Sequence, residues 1–287
     1  MRVAVIGAGR VGTGVAVLLQ RAGHRIEAVS GRGPTRDRAA RYLPGVPVRE
    51  AAEAAALAEL VVLGVPDDAI APTAEALASA GAVGPGRWVA HLSGATGLDS
   101  LESVRVAGAG RLAIHPLQTF PDVVSAIDGI ADCAIAVTAD DEAGYLVAER
   151  VAADLLGVPF RLDDDLRPRY HAAAVFASNY LVAVSAVAAD LFEAAGVPDP
   201  VRAMQPLQSA TLDNLARLGP GAALTGPAVR GDAGTIERNL EAVAAVSPGA
   251  VPAYVAMARV ALDLAVRAGR LDAEARARVE EVLARWS

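Results

Sequence analysis

The residues best suited to move protons in this chain are its four histidines, His24, His91, His115 and His171. Histidine is the side chain that titrates near neutral pH, and here it has little competition. All 26 basic residues are arginines and lysine is absent. A Schiff-base lysine, a phosphate-loop lysine and a lysine general acid are therefore excluded. Arginine stays protonated and supplies hydrogen bonds rather than protons. His91-Leu92-Ser93-Gly94 and His115-Pro116-Leu117-Gln118-Thr119-Phe120 each end an apolar run. Tyr170-His171 opens a long helical pattern that continues through Ser178-Asn179. A double bond that gains electron density at its heteroatom needs a proton or hydrogen-bond donor there, and groups that orient the rest of the molecule. His115 and His171 are the candidate donors, Ser93 and Asn179 the candidate orienting groups, and Gln118 a candidate substrate contact. The bland readings stand beside these. His91 inside an apolar strand reads as a core histidine. His115 before Pro116 fits a rigid loop, His171 a polar helix start, Asn179 a bond to a neighbouring helix. His24, beside the helix-ending Gly23, is expected at the surface. Eight residues separate His171 from Asn179, about 12 Å along a helix and some 80° around it, so the two should not grip one substrate oxygen.

Something must hold a redox cofactor near these groups, and the first turn offers it. Gly7-Ala8-Gly9-Arg10-Val11-Gly12 lies between an expected strand and an expected helix. The first glycine permits the tight turn, the second admits a pyrophosphate, and the third lets helix and strand pack closely. Helix-terminal amides and the helix dipole favour phosphate there. The next strand ends Ser30-Gly31-Arg32, where an NAD site would place a carboxylate for the ribose. Arg32 can instead pair with a 2′-phosphate and Ser30 can add a hydroxyl, so the expected cofactor is NADP. Val65-Pro66 follows a third strand and should border the nicotinamide end, although Pro66 also suits the mere start of a helix, with Asp67-Asp68 in its first turn.

Apolar runs predict strands over 2–6, 25–30, 60–64, 88–92, 112–115, 133–138 and 159–162, with helical patterns over 10–22, 50–58, 67–80 and 141–156. That alternation implies an α/β fold, a doubly wound parallel Rossmann sheet over residues 1–163. Strand signals then stop, and an all-α domain is expected over 164–287, with helices near 167–195, 200–218, 235–246, 251–269 and 273–286. The chain has 287 residues, 53% of them hydrophobic, so wholesale disorder is excluded. A net charge of −7 argues against nucleic acid or an anionic membrane as partner. The single cysteine rules out an internal disulfide and a multi-cysteine metal site, and no metal is expected. The start shows no long apolar signal core, and the alanine- and valine-rich stretch 172–189 reads as a buried helix. The expectation is a cytoplasmic protein acting on a small molecule.

A glycine-rich break, Leu224-Thr225-Gly226-Pro227-Ala228-Val229-Arg230-Gly231-Asp232, interrupts the helical half. Arg230 could hold a substrate carboxylate, or the loop could simply cap a helix through Asp232 or Thr235.

Taken in order, the Gly7–Gly12 turn, His91-Leu92-Ser93-Gly94, the His115–Phe120 run, Tyr170-His171-Ala172-Ala173-Ala174, Ser178-Asn179-Tyr180 and Thr225-Gly226-Pro227-x-x-Arg230-Gly231-Asp232 resemble the oxidoreductases that join a Rossmann-like domain to domain of unknown function 2520. These sit with the 6-phosphogluconate-dehydrogenase-like reductases, among them ketopantoate reductases. The resemblance implies a helical second domain, an active site between domains and a homodimer through the helical domain. Thr225 and Arg230 are expected as substrate contacts. Ketopantoate reductases carry Lys-x-x-x-Asn-x-x-x-Asn on the first long helix of that domain; this chain has His171, Val175 and Asn179 at those positions. His115-Pro116 is similar to the catalytic pair of prephenate dehydrogenases. The leading expectation is an NADPH-dependent reductase of a small 2-keto acid, ketopantoate first. The alternatives are an oxidative dehydrogenase of a cyclic acid and a non-catalytic NADP(H) sensor.

Overall fold

The structure, a computed structural model, describes residues 1–287. By internal contacts the chain forms two compact units, Met1–Ser178 and Asn179–Ser287.

The first unit is built on a seven-stranded sheet. Its strands are β1 (Arg2–Ile6), β2 (Arg25–Ser30), β3 (Leu60–Leu63), β4 (Trp88–His91), β5 (Gly110–Pro116), β6 (Ala134–Ala139) and β7 (Val158–Arg161). They lie in the order β2-β1-β3-β4-β5-β6-β7. The expectation of a parallel sheet needs one correction. β5 and β6 pair antiparallel, with Ile114 opposite Val137, while every other pair is parallel. A continuous apolar run marks a buried strand but does not encode its direction.

Helices cover both faces: α1 (Arg10–Arg21), α2 (Thr35–Tyr42), α3 (Ala51–Ala56), α4 (Asp67–Ser79), α5 (Glu102–Val106), α6 (Val123–Gly129) and α7 (Glu142–Asp154). Alternate residues of one strand serve opposite cores. Val3 and Val5 of β1 pack with Val15 and Leu19 of α1 and with Val151 of α7. Ala4 and Ile6 pack with Ile70 and Leu77 of α4. His24 is buried and is not at the surface as expected. It is 7% exposed, and its Nε2 lies 2.8 Å from Oδ2 of Asp154 on α7.

After β7 the chain enters α8 (Arg167–Ala174), a π-helical turn over Val175–Asn179 and α9 (Tyr180–Ala194). Strand signals end at 163, but the contact boundary falls at 178. The reason is α8: Arg167 and Tyr170 bond back to residues of the sheet.

The second unit holds α9, α10 (Pro200–Leu218), α11 (Pro220–Ala223), α12 (Pro227–Arg230), α13 (Ala233–Val246), α14 (Val251–Arg267) and α15 (Ala273–Arg285). Ile236, Leu240, Val255, Leu262, Val279 and Leu283 form its core. Asp199, Asp232 and Asp272 cap α10, α13 and α15 by accepting hydrogen bonds from backbone amides. α9 is not the buried helix expected. Val182 is 68% exposed and Val184 46% exposed. The segment 164–194 and the segment 248–267 are each long and apolar enough to cross a membrane by length and composition alone.

Candidate functional site

The glycine-rich turn does what its sequence requires. Gly7 takes φ +88°, and a Cβ there would stand 2.6 Å from the backbone of Gly64. A Cβ on Gly12 would stand 2.4 Å from the carbonyl oxygen of Gly7. Both positions are set by packing inside the protein. Gly9 is different: its φ is −79°, and nothing lies within 4 Å of where its Cβ would be. The protein itself does not need glycine there; a ligand lying on the backbone would. The amides of Gly7 and Ala8 are already committed to the carbonyl of Ser30, at 2.8 and 2.9 Å. Those of Arg10, Val11 and Gly12 open α1 with no acceptor inside the helix and no side-chain cap on Gly9. These three are the amides suited to a phosphate.

At the end of β2, the buried Ser30 uses its carbonyl to brace the turn. Arg32 is exposed, and its own carbonyl accepts from the Thr35 hydroxyl. Arg38 was not singled out in the sequence. Its Nε donates to the carbonyl of Ala8 at 2.9 Å and its guanidinium reaches the Thr35 hydroxyl at 3.3 Å, which ties α2 to the glycine turn.

A cavity of about 190 Å³ follows the turn and brings together Val11, Val65, Ser93, His115 and Gln118, all expected at the site, with Asp67. Its volume is below the roughly 300–1,000 Å³ of pockets for drug-sized ligands, which suits a small substrate. Gln118 is exposed; its amide holds the local loop, donating to the Gly129 carbonyl and accepting from the Thr119 amide. Ser93 is less available than expected. Its hydroxyl donates to Thr96 Oγ1 at 2.9 Å and accepts from the amides of Ala95 and Thr96, shaping the loop after β4.

The histidines separate clearly. His91 is fully buried, and its Nδ1 accepts from the Ser93 amide at 3.3 Å. Burial, helped by the nearby Arg167, holds its pKa down to about 3, so it is a neutral core group as its sequence context implied. His115 sits at the end of β5, with Nδ1 2.7 Å from the Tyr170 hydroxyl. Burial, then repulsion from Arg167 and His171, outweighs attraction from Asp67 and brings its pKa down to about 4. Tyr170 packs edge-on between His115 and Phe160, and burial pushes its phenol up to about 12. His171 comes from the next position on α8 and turns its Nδ1 toward Gly94.

Arg167 is the residue the sequence did not reveal. Its side chain is fully buried. Nη1 donates to the Ser93 carbonyl at 2.9 Å and Nη2 to the Thr138 hydroxyl at 2.9 Å, while Nε lies 3.4 Å from Asp164 Oδ1. Burial pulls its pKa below the ordinary guanidinium value. Arg167 stands at the start of an expected helix, and only the fold turns it inward.

The remaining candidates lie in the second unit. Asn179 ends the π turn and is exposed. Thr225 and Arg230 are exposed in the break before and within α12. Asp232 accepts from the amide and hydroxyl of Thr235 at 3.0 and 2.8 Å, so the helix-capping reading of this loop holds.

Comparisons with known proteins agree with this architecture. Residues 1–116 match the family model described as a Rossmann-like domain, and residues 133–261 match the domain of unknown function DUF2520. Among solved structures, a Bacteroides fragilis protein assigned as an NADP oxidoreductase shares 24% identity, with a TM-score of 0.76 over 91% of this chain and 98% of that one. A Thermotoga maritima protein shares 21%, with a TM-score of 0.70 over 93% and 100%. A Streptomyces aurantiacus imine reductase shares 21%, with a TM-score of 0.64 over 99% of both chains. At these identities the likeness is one of fold. No curated protein sequence matches the chain.

Proposed function

From a chain that joins a Rossmann-like domain to a DUF2520 domain, we propose an NADP(H)-dependent oxidoreductase that reduces a small 2-keto acid, with ketopantoate the first substrate to test. One observation carries the cofactor half: Gly9 is a glycine for which the protein's own packing gives no reason. The free amides of Arg10, Val11 and Gly12 suit the diphosphate, and the exposed Arg32 suits a 2′-phosphate better than a bare ribose hydroxyl. When bound, the reduced dinucleotide supplies a hydride.

The chain's residues then have three tasks: to hold the carbonyl in reach, to steady the oxygen that becomes negative and to give it a proton. The small cavity containing Val65 and His115 supports the first. His115 and His171 converge beside it and support the other two. Ser93 contributes by shaping its loop, and Gln118 borders the same cavity. Thr225, Arg230 and Asn179 are the proposed contacts to the substrate's tail and carboxylate. The solved structures assigned as an NADP oxidoreductase and as an imine reductase support reduction of a polarised double bond as the reaction class.

The proposed setting is the cytoplasm, and the proposed assembly is a homodimer. The supporting feature is the exposed apolar surface of α9, where Leu181 and Val184 stand about one turn apart on one side and Val182 is exposed beside them, a patch that another copy would cover. Light scattering should return a mass near 58 kDa, about twice the 29.2 kDa chain, and a V182E/V184E variant should return the single-chain mass. The functional reading is tested by titrating the protein with NADPH and NADH, then following NADPH oxidation with ketopantoate across pH 5–9. NADPH binding without turnover of ketopantoate or any other 2-keto acid removes the substrate class and keeps the cofactor; no binding of either dinucleotide removes both.

A further inference from the structure

The two candidate proton carriers meet at one residue. A Cβ on Gly94 would stand 2.8 Å from Nε2 of His115 and 3.0 Å from Nδ1 of His171, so the missing side chain is what lets the rings converge. They converge in different states. Nδ1 of His171 is buried and has no partner. Nδ1 of His115 has one, the Tyr170 hydroxyl at 2.7 Å, and the two rings meet edge to face with centroids 5.5 Å apart.

The direction of that bond follows from donor and acceptor strength. A phenol donates well and accepts poorly, and an unprotonated imidazole nitrogen is a good acceptor. Tyr170 Oη has no other hydrogen bond. Accepting from Nδ1–H would leave its own proton unbonded in a half-buried site, the costlier arrangement. The phenol therefore donates to Nδ1, and the single ring proton of His115 sits on Nε2, toward Gly94. The surrounding charges keep a second proton away. Arg167 and His171 on α8 repel it, and His91 on the neighbouring strand is buried and neutral. Only Asp67, at the start of α4, attracts it.

We propose that Tyr170 is a positioning residue that fixes His115 as a neutral Nε2–H hydrogen-bond donor, leaving His171 to deliver the proton. The assignment of the two roles rests on the reductase reading above. As hydride reaches the carbonyl carbon, the C=O π pair moves to oxygen. Protonated His171 gives its ring proton to that oxygen, forming the alcohol, and the neutral ring regains a proton from water. His115 keeps its proton throughout and steadies the oxygen.

Two measurements test this. The first uses protein labelled with 15N in the histidine rings, without substrate or dinucleotide, with resonances assigned through single His→Gln variants. His115 should show a neutral ring protonated on Nε2 between pH 5.5 and 8. Tyr170→Phe keeps the aromatic packing against Phe160 and should give a mixed tautomer. A wild-type ring protonated on Nδ1, or a tautomer unmoved by Tyr170→Phe, overturns the role of Tyr170. The second is the pH dependence of kcat. His171→Ala should lower kcat by about 10²–10⁴ and abolish the limb that reports the proton donor. His115→Ala should lower it by about 10²–10³ and keep that limb. A limb that follows His115 reverses the assignment. Absence of NADPH turnover removes the reductase reading and the proton-delivery role with it, while the ring-nitrogen result decides the role of Tyr170 by itself.

Discussion

Nη1 of Arg167 lies 2.9 Å from the carbonyl oxygen of Ser93, a bond that joins the start of α8 to the loop after β4 across 74 residues of chain. It fixes the loop carrying Gly94 relative to the helix carrying His171, so the geometry of the two histidines depends on a guanidinium that touches neither pocket nor solvent.

Replacing it should be expensive. Arg167→Met keeps the volume but leaves the Ser93 carbonyl and the Thr138 hydroxyl without their buried donor. The expected loss is on the order of 3 kcal/mol, read as a lower urea midpoint. The same variant should raise the pKa of His115, because a repelling charge is gone, although burial still holds it below the ordinary value. A stability equal to wild type would mean that the buried bonds contribute nothing.

The two buried histidines predict acid sensitivity. Their folded-state pKa values, about 3 for His91 and about 4 for His115, lie below the ordinary 6.5. Below that ordinary value the unfolded chain takes up protons that the folded chain refuses. Stability attached to these groups is complete above about pH 6.5 and declines as the pH falls toward 4 and 3, on the order of 1.4 kcal/mol per pH unit for each group. Urea midpoints measured from pH 7.5 to 4.5 should slope downward. His91→Gln should flatten part of the slope, and a slope unchanged in that variant contradicts the assignment.

Gly9 separates fold from ligand. Gly9→Ala meets no neighbour and needs no positive φ, so its melting temperature should stay near wild type. Its NADPH affinity should fall at least tenfold, since the methyl occupies the path of the diphosphate. Gly12→Ala drives a Cβ onto the Gly7 carbonyl and should lower both stability and affinity. Calorimetry with each variant distinguishes the two patterns, and a Gly9→Ala protein that binds NADPH normally would sink the cofactor reading.

Arg32 should govern cofactor choice. Arg32→Ala is expected to weaken NADPH binding about 10- to 100-fold, the worth of a charge-assisted pair of roughly 1.5–3 kcal/mol, while leaving NADH nearly unchanged. Equal losses for both dinucleotides would place Arg32 away from the 2′-phosphate.

What the sequence disclosed was local. The Gly7–Gly12 turn, the strands and the long helices are written in short-range spacing and apolar runs, and His115 and Ser93 could be placed at or just past strand ends because the apolar runs stop there. α2 went unread because Thr35–Tyr42 is almost wholly polar and shows no apolar period. Arg167 and His24 went unread for another reason: a polar residue near a helix end gives no sign of facing inward until the group that bonds it, the Ser93 carbonyl for Arg167 or Asp154 for His24, is known to be near. The opposite surprise, the exposed apolar surface of α9, has the same origin. An apolar run states what must avoid water; it does not state whether the cover comes from the same chain.

Arg38 grips the carbonyl of Ala8 with one part of its guanidinium and the hydroxyl of Thr35 with another. The segment that would cradle a diphosphate and the segment that would greet an adenosine are thereby clamped through a single planar group. Fragments representing the two halves of a dinucleotide should consequently sense one another, the first to arrive altering the welcome given to the second, although they would share no atom.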